Sequence, residues 1–171
     1  MSVAENQALY RVANKQGKVL LALLYSGVQV EELALLSKTS FKDNYARVQI
    51  LGEQSRILNI DAHYSLALAE LCESKNDSAP IWSNLIGKDD FTQIILNAAH
   101  DAELAFPDQL SADTLRHSYI TYLVSQGARL NDLELIVGHI PPRDLAEYRK
   151  VKRQGPLLEL ADIDLYYPLI S

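Results

Sequence analysis

The chain has 171 residues, 48% of them hydrophobic, which is enough for one domain with a substantial core and too few for two ordinary ones. Its 16 Lys+Arg against 22 Asp+Glu give a net charge of −6, a balance that argues against strong autonomous binding to a DNA backbone. A single cysteine, Cys72, excludes an internal disulfide and suits a reducing, cytoplasmic setting; the longest apolar run, Val19 to Tyr25, is far short of the roughly 20 residues of a membrane span, and the first residues lack the features of a secretory signal.

In chain order, Leu9, Val12, Ala13, Val19, Leu20, Leu23 and Leu24 recur at helical spacing between Ala4 and Tyr25, with Gly17 as the expected break between two helices. A further helix is predicted from Val30 to Leu36, with Glu31 and Glu32 in its first turn. The β-branched runs 47–51 and 56–60, separated by Gly52-Glu53-Gln54-Ser55, read as a hairpin. Helical patterns resume at 62–73 and 89–104, joined through a polar connector at 76–80, with the lone Trp82 as a core or rim aromatic. Ser111 is the expected N-cap of a helix running to Val124, and Gly127 its stop. Asn131 or Asp132 caps the next helix, which ends at Gly138. Pro141-Pro142 opens another through Tyr148 to about Lys152, and the apolar pattern after Gly155 suggests a last helix. The expected fold is mainly α with a small β-hairpin, a single domain over 1–171.

Chemistry-bearing residues concentrate in the last third: Arg116-His117, then Gly138-His139, then Tyr148. An arginine fork holds a phosphate, an imidazole moves a proton and a phenol attacks phosphorus. Taken singly, Tyr148 reads as a half-buried tyrosine and His139 as a helix-end residue. The stretch with Arg143, Arg149, Lys150, Lys152 and Arg153 holds only two acids, Asp144 and Glu147, and reads either as a DNA-contacting patch or as a solvated helix end. His63, His100 and His117 are dispersed without ligand spacing, so no metal site is expected.

Together these segments resemble the tyrosine recombinase, or phage integrase, family over nearly the whole catalytic domain. Ser26-Gly27-Val28-Gln29-Val30-Glu31-Glu32-Leu33 is similar to the family's first box, matching at the glycine, Glu32 and Leu33. Leu115-Arg116-His117-Ser118-Tyr119 resembles the second box, and Val137-Gly138-His139 with Tyr148 completes the pattern. The resemblance implies a tyrosine that attacks a DNA phosphate, leaving a 3′-phosphotyrosyl strand and a free 5′-hydroxyl, with no metal or other cofactor. It assigns Tyr148 as nucleophile, Arg116 as phosphate clamp and His139 as the second histidine of the site. It also implies departures: Gln29 stands for the first arginine, Glu53 (or its neighbour Gln54) for the hairpin lysine, and Asp113 for a histidine. Arg56 or Arg47 is the candidate replacement cation on the hairpin.

The resulting expectation is a recombinase-like domain with impaired strand cleavage, its partner DNA, and without the N-terminal core-binding domain of the family. The alternatives are a non-catalytic DNA-binding or regulatory module, and an acidic interaction module. In the last, the tail 155–171 joins copies of the chain rather than packing on its own core.

Overall fold

The fold begins with two helices capped at their N-termini by side chains, and the computed structural model describes residues 1–82 and 87–170 of the chain. Helix α1 (Val3–Val12) starts at Ser2, whose side chain accepts from the Glu5 amide at 3.3 Å while the Ser2 amide donates to the Glu5 carboxylate at 2.7 Å. Helix α2 (Lys15–Leu24) starts at Asn14, whose side chain accepts from the amide of Gly17 at 2.9 Å. The break therefore lies at Ala13-Asn14 and not at the expected Gly17. That glycine lies inside the first turn of α2, where an added Cβ would sit 3.1 Å from the Ala13 Cβ and 3.4 Å from Ile94 Cγ2.

The run Val19 to Leu24 is buried throughout, because the second half of α2 is apolar on every face and lies centrally, against α1 and the helices α4 (Ser65–Cys72), α5 (Lys88–Asp101) and α6 (Ala112–Ser125). Helix α3 (Val30–Leu33) is shorter than expected; beyond it the chain turns, leaving Leu35 largely exposed. The hairpin is present and forms part of a three-stranded antiparallel sheet, β1 (Phe41–Lys42), β2 (Arg47–Ile50) and β3 (Arg56–Asn59), in the order β1-β2-β3. Val48 pairs with Leu58, and these two with Ile50 face the core, while Ile57 points outward as the strand period requires. The two-residue β1 carries too little pattern to be legible in the sequence.

Helices α4 (Ser65–Cys72), α5 (Lys88–Asp101), α6 (Ala112–Ser125), α7 (Leu133–Val137) and α8 (Pro142–Tyr148) complete the set. Ser111 caps α6 through the Thr114 amide at 3.2 Å, and Gly127 follows its end with φ +107°. Trp82 is buried, edge-on to Phe91, with no hydrogen-bond partner for its indole N–H among the described residues.

The tail departs from the expected helix. After Gly155 it is irregular apart from a 3₁₀ turn at Leu160–Asp162, and it lies on its own chain. Side chains of the bundle engage its backbone: the Tyr119 hydroxyl donates to the Leu165 carbonyl at 2.8 Å, Tyr122 to that of Tyr166 at 3.2 Å, and the Gln7 amide to that of Pro168 at 2.9 Å. Tyr167 stacks on Tyr25 with centroids 4.2 Å apart and accepts from the Asn6 amide. The apolar residues Ile163, Tyr167 and Leu169 are thereby buried within one chain. Ser171, the end of the expected tail, lies outside the described residues.

Among the described residues no helix is long and apolar enough to cross a membrane.

Candidate active site

Helix α6 presents Asp113, Arg116 and His117 at spacings of three and four residues, so all three project from one face. That face forms a wall of a cavity of about 500 Å³, which is closed by the start of α3, the loop after α7, and α8. Gln29, Asp113, Arg116, His117, His139 and Tyr148 all line it. The residues assigned to the chemistry thus converge on one cleft, together with two of the three departures.

Arg116 is fixed by the loop after α7. One terminal nitrogen donates to the Val137 carbonyl and the other to that of His139 at 2.9 Å, leaving further N–H donors uncommitted. Burial presses the guanidinium pKa down and the Tyr148 phenol counteracts this, yet an arginine stays charged. It is the only arginine or lysine among the described residues of the cavity wall, which also carries the carboxylates Glu31, Asp113, Asp144 and Glu147.

Tyr148 ends α8 and is 4% exposed. Its hydroxyl lies 3.1 Å from His117 Nδ1, with ring centroids 5.2 Å apart. Burial pushes the phenol pKa above its ordinary value, Arg116 counteracts this, and Asp144 adds to the rise. A phenol that is protonated at neutral pH needs a proton acceptor before it attacks, and His117 is the ring within reach. In the sequence His117 had no role beyond the second box; its adjacency to Arg116 was visible, but its partner arrives from an element 31 positions further on.

His139 points its Nδ1 at the Glu134 carboxylate, 3.1 Å away, and Glu134 also accepts from the Ile140 amide at 2.8 Å. A carboxylate only accepts, so Nδ1 carries the proton and Nε2 is left as the second functional nitrogen.

Gln29 is committed to structure. Its side-chain nitrogen donates to the Val137 carbonyl at 3.0 Å, and it passes so close to Gly138 that a Cβ there would lie 2.3 Å from it. Asp113 is ion-paired at 2.6 Å with Lys88, at the start of α5. Glu53 occupies the exposed turn between β2 and β3, outside the residues lining the cavity.

Arg56, the candidate replacement cation, is held by its own chain. Its side chain is 7% exposed and is spent on Glu32, to both of whose oxygens it donates at 2.7 Å, and on the carbonyls of Gly27, Gln54 and Ile136. Arg47 pairs with Asp43 at the sheet surface. Arg143 at the start of α8 and Arg149, Lys150, Lys152 and Arg153 after its end are exposed, with Lys150 held by Glu147 at 2.8 Å and Arg143 3.6 Å from Asp144.

This helical arrangement with its small sheet is the catalytic-domain fold of the tyrosine recombinases. Among solved structures, XerA recombinase superposes with a TM-score of 0.74 at 19% identity, covering 91% of this chain and 58% of that one. The integrase of mycobacterium phage Brujita gives 0.64 at 17%, covering 94% and 60%. The Tn1549 transposon integrase, solved in complex with circular intermediate DNA, gives 0.66 at 15%, covering 86% and 59%.

In sequence the particular likeness is to the tyrosine recombinases XerC and XerD. The chain is 26% identical over 148 residues to XerC of Corynebacterium efficiens, covering 82% of this chain and 48% of the relative, and 29% identical over 138 residues to XerC of Roseiflexus sp., covering 71% and 43%. It thus spans about half the length of the curated relatives it matches. No family model matches the chain.

Proposed function

We propose that the chain is the catalytic domain of a tyrosine-recombinase-type DNA strand transferase whose cleavage step is slow. The observation that carries the reading is the contact of the Tyr148 hydroxyl with His117 in the cavity that Arg116 lines. Arg116 holds a nonbridging oxygen of a DNA phosphodiester. His117 takes the phenolic proton as Tyr148 oxygen bonds to phosphorus, and the bond to the 5′ oxygen breaks, leaving a phosphotyrosyl strand and a 5′-hydroxyl. The bond energy is retained in the adduct, so a second strand's hydroxyl reverses the step without a cofactor.

The slowness follows from charge. With Gln29 in place of the first arginine and Glu53 outside the cavity, one guanidinium is left to hold the transition state, and protonation of the leaving oxygen falls to solvent. The loss of one preorganised donor costs roughly 10²–10³ in rate. Commitment of Gln29 to the Val137 carbonyl and of Arg56 to Glu32 also supports a second reading, a DNA-binding module without strand transfer, with Arg143, Arg149, Lys150, Lys152 and Arg153 as its contacts.

Incubation with a pool of nicked duplexes that trap the adduct, followed by a denaturing gel, decides between the two. Covalent complex with the wild-type chain and none with Tyr148→Phe is the expected outcome. Indistinguishable wild-type and Tyr148→Phe lanes sink the strand-transferase reading, and salt-sensitive binding in both then leaves the second.

A further inference from the structure

The cavity wall carries Glu31, Asp113, Asp144 and Glu147 against the single guanidinium of Arg116, a balance that repels an anion unless other cations reach the mouth. Three of these carboxylates hold a cation. Glu147 pairs with Lys150 within its own chain turn, and Asp144 with its neighbour Arg143, which is 95% exposed. The pair of Asp113 with Lys88, at 2.6 Å, differs in joining residues 25 positions apart on two elements, α5 and α6.

We propose that Lys88 is the second cation of the phosphate site, its ammonium held at the cavity mouth by Asp113 so that it contacts the same DNA phosphodiester as Arg116. This rests on the reading of the cavity as a phosphodiester site. Asp113 and Arg116 are three residues apart on α6, so a cation bonded to the first sits about one helical turn from the guanidinium of the second. An ammonium has three donors, and Asp113 uses one. The hydrogen bond that Lys88 donates to Asp113 raises the Lys88 pKa, burial works against this, and the charges of Asp113 and Glu31 add to the rise, so Lys88 stays protonated and acts as a fixed positive charge. On this reading Asp113 is a positioning residue: the acid that departs from the resembled pattern imports a cation from a different helix. No sequence pattern reveals it, because Lys88 belongs to none of the resembled boxes.

The test measures equilibrium binding of a fluorescently labelled mixed-sequence duplex of about 30 base pairs by anisotropy, using the Tyr148→Phe chain so that no covalent product forms. Lys88→Ala is expected to weaken binding roughly tenfold, the scale of one charge-assisted hydrogen bond, and Lys88→Arg to retain most of it. In an Arg116→Gln background, which keeps donors for the Val137 and His139 carbonyls, the Lys88→Ala loss is expected to shrink markedly, because both side chains hold one phosphate. Lys18→Ala, on α2, serves as a charge control and is expected to leave affinity unchanged.

If the Tyr148→Phe chain binds no DNA, the phosphodiester reading and this proposal fall together. If it binds, Arg116→Gln weakens it and Lys88→Ala does not, Lys88 alone is overturned. The same loss on Lys88→Ala in both backgrounds places its contact on a different phosphate and also overturns the proposal.

Discussion

At the scale of single residues, the contact of Tyr148 with His117 sets an imidazole nitrogen 3.1 Å from a buried phenol, which is the arrangement the proposed attack on phosphorus needs. His117→Ala is expected to lower the rate of phosphotyrosyl formation by roughly 10²–10⁴ while the chain stays folded, and added imidazole to restore part of it. A time course of adduct formation, with circular dichroism as the control, checks both; a rate unchanged within a few-fold removes His117 from the proton path. The sequence singled out Arg116, His139 and Tyr148 through the spacings of the resembled boxes, and all three line one cavity. It hid the contact of His117 with Tyr148, because helical periodicity gives the face of α6 but not what α8 lays against it. The partners of Arg56 were hidden for a related reason: its charge is visible in the sequence, whereas its burial against Glu32 is created by the packing of β3 on α3 and α7.

At the scale of elements, the turn after α7 places Val137 and His139 carbonyls on Arg116, and Gly138 makes that turn possible. Its φ of +72° lies in the left-handed region, and Gln29 and Arg56 press on the space a side chain would take. Gly138→Ala is therefore expected to destabilise the chain by about 1–3 kcal/mol and to loosen Arg116 with it. Urea unfolding measures the first, and weakened duplex binding the second. Unchanged stability would mean that the turn relaxes freely. Capping chemistry made the helix starts at Ser111 and Pro142 readable, and the polar turn did the same for the hairpin. It was misread at Gly17, where the side chain of Asn14 rather than the glycine marks the start of α2. The tail was misread as helix because an apolar spacing records burial, and its carbonyls take their partners from Tyr119, Tyr122 and Gln7 instead of from a helical ladder.

At the scale of the whole molecule, tyrosines bind the tail to the core, and burial raises the phenol pKa of Tyr25, Tyr119, Tyr148 and Tyr167. The unfolded chain loses these protons near pH 10, whereas the folded chain retains them to higher pH. The folded state then binds more protons, so stability is fully present below about pH 10 and falls above it, by up to about 1.4 kcal/mol per pH unit for each such tyrosine. Melting temperatures measured from pH 7 to 11 are expected to be level at first and then to drop; a flat profile to pH 11 contradicts the burial of these rings. The lone tryptophan makes such measurements simple. Trp82 is 3% exposed against Phe91, with its indole N–H unpartnered among the described residues. Its fluorescence therefore starts blue-shifted in the native chain and moves red as water reaches the ring, giving this protein a label-free optical gauge of its own unfolding, six residues from Lys88.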